Sequence, residues 1–213
     1  MNVEIQRRWN YVYSQYEDKE LGWHQDKAVS SLKLLRKAKI SKDDLIVDIG
    51  SGTSVFRGDF HDAGYRRIIA VDISETALRK SSERLVAEER KYVTFVDDDI
   101  CNSTKLNDIR NASVWHDRAE LHFLTTSAHM HAYVMTLNSM ALNSVLKQGE
   151  FVIFGVMSLD GPNKCSGLDI VNYDAGKLAK FLGKNYQLLE SFTYKHYAAS
   201  GKEMPLLCFV QGN

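Results

Sequence analysis

Proline is nearly missing from this chain of 213 residues, two in all, and no stretch is given over to glycine, serine or charge of one sign. Disordered and linker-rich proteins carry more breakers and fewer aromatics than this. Cysteine is scarce as well. Cys101, Cys165 and Cys208 are odd in number, far apart and free of any Cys-x-x-Cys pair, so neither a disulfide framework nor a structural zinc site is expected. A charge imbalance is also lacking, since 27 Lys plus Arg face 27 Asp plus Glu. Without a basic excess the phosphate term that drives nucleic-acid binding is small, and nucleic acid is not an expected partner. No run approaches the roughly 18 uninterrupted apolar residues of a spanning helix. The first ten residues, which include Glu4, Arg7 and Arg8, have no apolar stretch behind them. These absences predict a cytoplasmic protein in a reducing compartment, with no membrane partner.

What is present is a 44% hydrophobic share over a length that suits one buried core. The expected organisation is a single domain over 1–213, with a helical cover over 1–40 and a core over 45–213. Ile5, Trp9, Val12, Tyr13 and Tyr16 recur at three- and four-residue spacing and predict a helix over 3–16; Val29, Leu32 and Leu35 predict a second over 26–38. Short apolar runs then alternate with helical periods. Strands are expected at 45–49, 67–73, 92–96, 112–115 and 151–156, and helices at 55–63, 75–90 and 128–146, the last stopped by Gly149. Such alternation means βαβ units and a parallel sheet. Residues 158–172 read as a long loop and 174–182 as a helix closed by Gly183. The runs 187–197 and 206–211 read as an antiparallel hairpin turning at 199–202.

The first strand, Leu45-Ile46-Val47-Asp48-Ile49, runs into Gly50-Ser51-Gly52, a turn that lets a ligand approach bare backbone at the carboxyl edge of a parallel sheet. Asp72, followed by Ile73, ends the next strand about 20 residues on, where a carboxylate can accept from both hydroxyls of a ribose. Asp99 follows the third strand, suited to accept from an adenine amino group while Ile100 covers the ring. A dinucleotide fold needs Gly or Ala at the third position of its fingerprint, and Val55 stands there. Asp48 suits an ammonium better than a pyrophosphate, because a further anion near two phosphates costs Coulomb energy. An amino acid joined to adenosine fits these positions.

At these residues the chain resembles the class I S-adenosylmethionine-dependent methyltransferases: Asp48-x-Gly50-x-Gly52 is similar to the family's first motif, Asp72 to its second-strand acid and Asp99-Ile100 to its adenine motif. The resemblance runs from about Leu45 to the end of the chain. It implies an α/β, Rossmann-like sheet of seven mostly parallel strands with a terminal antiparallel hairpin and helices on both faces. It also implies S-adenosylmethionine as cofactor, with Gly50, Ser51 and Gly52 under the methionine moiety, Asp72 and Ile73 at the ribose, and Asp99 with Ile100 at the adenine. Ser54 departs from the pattern, since many members have a third glycine or an alanine there. His116-Asp117-Arg118-Ala119, His122-Phe123-Leu124 and residues 161–168 resemble a subgroup of small bacterial methyltransferases of mostly unassigned substrate.

In that family the fourth-strand exit faces sulfonium and substrate, and here residues 115–125 are dense in polar groups. Methyl transfer is an in-line displacement that needs alignment and exclusion of water, with a base only where the acceptor is protonated. His116, Asp117 and His122 are the candidates for that base, His122 also for an acceptor contact, and Trp115 for packing on the cofactor or in the core. The structural alternative makes Asp117 and Arg118 an internal ion pair and His122 a hydrogen-bonded packing residue. Trp9, Tyr13, Tyr16, Trp23 and His24 offer an aromatic cover suited to a cation, with Trp9, Trp23 and His24 as acceptor contacts. His129 and His131 are two apart on a helix and diverge, so no metal is expected. The expected reaction is transfer of a methyl group to a small-molecule acceptor, with a protein lysine as the alternative. An Asn-Pro-Pro-Tyr type motif, which binds planar amino groups in related families, is missing.

Overall fold

The computed structural model describes residues 2–143, 150–184, 186–198, 200–201 and 203–212. Its centre is a sheet of seven strands: β1 (Leu45–Ile49), β2 (Ile68–Asp72), β3 (Val93–Asp97), β4 (Ala112–Arg118), β5 (Phe151–Met157), and the hairpin strands β8 (Gln187–Tyr197) and β9 (Glu203–Gly212). The order across the sheet is β3-β2-β1-β4-β5-β9-β8. The first five strands pair in parallel, whereas β9 lies antiparallel between β5 and β8. Strand order reverses between β1 and β4, and a crevice opens at such a switch point beyond the carboxyl ends of the strands. This is the fold of the class I S-adenosylmethionine-dependent methyltransferases, as the motif pattern implies.

Helices cover both faces, and each face has its own core. Leu34 and Leu35 of α2 (Val29–Lys37) and Phe60 of α3 (Phe56–Asp62) pack on Ile46, Val114 and Ile153. Tyr133 and Leu137 of α6 (Ser127–Asn143) and Leu178 of α7 (Ala175–Leu182) pack on Val47, Trp115 and Phe154. Every residue of β1 is buried, as expected of a central strand sandwiched between helix layers. Ahead of the sheet runs α1 (Val3–Gln15), started by the Asn2 side chain, which accepts from Glu4 N and Ile5 N.

Three expectations of the sequence are corrected. The helix expected over 75–90 is two, α4 (Glu75–Arg84) and α5 (Ala87–Arg90). Leu85 and Val86 between them are extended, while Glu89 restarts the chain by accepting from Val86 N and Arg90 Nη2 donates to the Ser82 carbonyl at 2.7 Å. The loop expected over 158–172 carries a small hairpin, β6 (Lys164–Cys165) with β7 (Leu168–Asp169), turning through Ser166 and Gly167 at positive φ. The fourth strand does not end at Trp115 but continues to Arg118, in register with Asp48 and Ile49 on one side and with β5 on the other. Residues 144–149, with the tail of the expected helix and its Gly149 stop, lie outside the described residues, as do Ala199 and Lys202 of the expected turn. Among the described residues no helix is long and apolar enough to cross a membrane.

Candidate active site

A cavity of about 340 Å³ opens beyond the carboxyl ends of β1, β2 and β3 and is lined by Gly50, Asp72, Ile73, Asp99, Ile100 and Glu120. That volume falls in the range of small-molecule sites. Three turns present the lining. Gly50 and Gly52 both hold positive φ, 58° and 49°, and Ser51 N donates to the Val71 carbonyl at 2.9 Å, so the loop is tied to β2. A Cβ on Gly50 would lie 2.5 Å from Glu120 Cβ, and one on Gly52 would overlap the Tyr13 hydroxyl. The loop is therefore bare because other groups approach its backbone closely.

Asp72 is oriented by two backbone donors, Gly52 N to Oδ2 and Ser74 N to Oδ1, each at 2.8 Å. Asp98 is buried and accepts from Asp99 N, Ser103 Oγ and the Thr104 and Lys105 amides, which fixes the turn that presents its neighbours. Asp99 in turn accepts from Cys101 N at 3.0 Å and, across the cavity mouth, from Asn2 N at 2.8 Å. Burial and the nearby Asp99 and Glu120 carboxylates push the Cys101 thiol up to about 12, so it stays protonated.

The mouth is covered by α1. Asn10 Oδ1 accepts from Ser74 Oγ at 2.7 Å and Thr76 N at 3.2 Å, so α1 caps the start of α4, and an ion pair between Arg84 and Asp18 ties down the segment after it. Trp9 meets Trp23 edge-on at 5.6 Å and Phe123 at 5.3 Å, and Tyr13 meets Trp23 at 6.0 Å. Tyr11 and Tyr16 point to solvent, 64% and 50% exposed.

The residues expected to carry chemistry at the fourth-strand exit are distributed differently. His116 and Asp117 alternate across β4 and point to opposite faces. His116 is buried against β1 and α2, its Nδ1 2.7 Å from Asp48 Oδ1 and its Nε2 2.9 Å from Ser31 Oγ. With Asp48 it lines a second, narrower cavity behind the glycine loop, together with Trp23, His24, Ser51 and Arg118. Asp117 is wholly buried and faces neither cavity; it accepts from Glu120 N and Leu121 N at 3.1 Å and from the Tyr133 hydroxyl at 2.6 Å. Its task is to close the turn after β4. Burial nevertheless pushes its carboxyl up to about 6 against those hydrogen bonds. Trp115 packs in the core, one of the two placements expected for it, and its Nε1 donates to Tyr133 at 2.7 Å.

Arg118 makes no ion pair with Asp117. Its Nη1 donates to the Trp23 carbonyl at 2.8 Å, while Nε and Nη2 are buried with no acceptor among the described residues. Burial lowers this guanidinium to about 10. His122 is a packing residue: Nδ1 accepts from Met157 N, and burial with the Arg118 charge depresses the imidazole to about 3. His24 lies 3.5 Å from Asp26 at the second cavity. Among the described residues, His61, Asp62 and Glu89 bring potential metal ligands within 4.8 Å of one another, and they line neither cavity.

Glu120 was not among the expected residues. With β4 ending at Arg118 rather than Trp115, position 120 falls in the turn after the strand and lines the larger cavity, so the strand length carried the signal. No donor among the described residues reaches its carboxylate. Burial, with the fields of Asp117, Asp72 and Asp99, holds it well above the usual carboxylate range.

No family model and no curated protein matches the chain. Solved structures share its fold. A SAM-dependent methyltransferase from Anabaena variabilis is 13% identical with a TM-score of 0.74, covering 100% of this chain and 96% of its own. The N-methyltransferase NodS of Bradyrhizobium japonicum, in complex with S-adenosylhomocysteine, is 14% identical at a TM-score of 0.69 and covers 98% and 97%. The 1,6-didemethyltoxoflavin-N1-methyltransferase of Burkholderia thailandensis, with its substrate and S-adenosylhomocysteine bound, is 16% identical at a TM-score of 0.66 and covers 99% and 84%.

Proposed function

We propose that this protein transfers a methyl group from S-adenosylmethionine to a small-molecule acceptor. The observation that carries the reading is Asp72, aimed by two backbone donors into one cavity with the bare Gly50–Gly52 loop on one side and Asp99-Ile100 on the other. That set matches a nucleoside joined to an amino acid. Asp72 with Ile73 would hold the ribose, Asp99 and Ile100 the adenine, and the glycine loop the methionine chain. The buried, acceptor-less Nε and Nη2 of Arg118 behind that loop fit its carboxylate. The cofactor supplies a methyl group already activated on a sulfonium. The chain's own work is alignment and exclusion of water, which the α1 cover favours.

A small acceptor is favoured over a protein lysine because Trp9, Tyr13, Trp23 and Phe123 roof the site, whereas a protein side chain needs an open groove. Solved relatives named as methyltransferases of a toxoflavin precursor and of a glycopeptide agree with that preference. Calorimetry with S-adenosylhomocysteine tests the reading. At one hundred times its dissociation constant the ligand should stabilise the native state by about 2.7 kcal/mol through mass action. Tight binding of NADH with none of S-adenosylhomocysteine would overturn it.

A further inference from the structure

The cavity at the strand ends continues into a smaller chamber under α1, and Trp9, Gly50, Asp72, Ile73 and Glu120 line both. The chamber adds Tyr13, Trp23 and Phe123, with Ala119 and Arg118 from the end of β4. Its walls are aromatic rings and its floor is a carboxylate. Asp72, Asp99 and Asp117 each accept backbone donors, but the Glu120 carboxylate meets no donor among the described residues. A half-buried carboxylate facing a cavity with no donor on it is free to pair with a cationic ligand.

We propose that the acceptor is an aliphatic amine, bound as its ammonium between Glu120 and the rings of Trp9, Tyr13, Trp23 and Phe123, and that Glu120 takes its proton. The proposal rests on the methyl-transfer reading above. Aromatic faces carry negative charge density and hold ammonium groups. An anionic acceptor meets repulsion from Glu120 and Asp72 together, and a neutral alcohol gains nothing from the rings' quadrupoles.

An ammonium has no lone pair to attack with, so its proton must leave first. It passes from nitrogen to a Glu120 oxygen, giving a neutral amine and a neutral carboxylic acid. The nitrogen lone pair then forms the N–C bond as the C–S bond breaks, with that electron pair staying on sulfur. The product is an N-methylammonium and a neutral thioether, and Glu120 later gives its proton to solvent. A neighbouring sulfonium assists the first step, because two cations in one chamber repel and deprotonation relieves it.

The groups facing Glu120 suit a base. Tyr13 on α1 is neutral, its hydroxyl pushed up by burial and by Asp72 and Glu120. Burial of Glu120 favours the protonated acid most, and Asp117 near the end of β4, Asp72 at the end of β2 and Asp99 after β3 add to that. Asp98 and the Cys101 thiol after β3, Arg118 on β4 and His129 on α6 are the remaining ionisable groups of the lining. The raised affinity for a proton makes the Glu120 carboxylate a stronger base than a solvated one.

The test uses the intact protein, labelled S-adenosylmethionine and a series of primary aliphatic amines beside the corresponding alcohols and thiols. Label should enter the amines. E120Q should keep S-adenosylhomocysteine affinity within a factor of a few, lower kcat/KM for the amine about 10²-fold or more, and abolish the acidic limb of its pH profile. E120D, which keeps the charge but shortens its reach, should restore part of the rate, and W9A should raise KM for the amine more than it lowers kcat. Label entering only alcohols or thiols would overturn the proposal, as would unchanged turnover in E120Q. So would failure of every amine to bind the S-adenosylhomocysteine complex. If that complex does not form at all, the methyl-transfer reading falls, and this one with it.

Discussion

Asp72→Ala is expected to weaken S-adenosylhomocysteine binding by about 2 to 4 kcal/mol, since it removes a charged acceptor from two ribose hydroxyls and leaves them desolvated. The structure adds a second effect. Both carboxylate oxygens already accept backbone donors, Gly52 N and Ser74 N, so the alanine also frees the glycine loop from its anchor. Asp72→Asn should not rescue binding well, because one of its two ends presents N–H to an N–H. Asp99→Ala should do less, since a single adenine contact is replaceable by water. Calorimetric affinities for both variants equal to wild type would remove the nucleoside assignment.

Asp48→Ala is expected to lower stability by about 1 to 3 kcal/mol, the usual cost of leaving a buried hydrogen-bonding group without its partner. Asp48 and His116 lie 2.7 Å apart with side chains 4% and 2% exposed, and Ser31 extends the contact into α2. At roughly 2 to 4 °C per kcal/mol for a chain of this size, the melting temperature should fall by about 6 °C. Asp48→Asn should cost less because it still offers a hydrogen bond. A melting temperature unchanged in Asp48→Ala, with cofactor affinity lost, would instead return Asp48 to the ligand's ammonium, as the sequence motif suggests.

That contrast shows where the sequence was legible. Leu45–Ile49 and Ile68–Asp72 are continuous apolar runs because both faces of these central strands are buried, and the acids that end such runs fall at the crevice by topology alone. Asp72 and Asp99 could be found that way. The end of β4 could not, because His116 and Asp117 look like exit residues and are not. Their partners, Asp48, Ser31 and Tyr133, lie 68, 85 and 16 residues away in sequence, and a polar residue satisfied by distant partners leaves no local trace. Misplacing that strand end hid Glu120. The break between α4 and α5 was equally silent, resting on an arginine that reaches back eight residues.

The roof supplied by α1 also constrains time. With the Tyr13 hydroxyl against the Gly52 backbone and Asn2 N on Asp99, α1 is expected to lift as the cofactor enters. The aromatic walls of the acceptor chamber come down with the same helix. Addition should therefore be compulsory in order, cofactor before acceptor, with the methylated product leaving before the thioether. Steady-state inhibition by S-adenosylhomocysteine should then be competitive against S-adenosylmethionine and noncompetitive against the acceptor, and turnover should follow the opening of one helix rather than the chemistry beneath it.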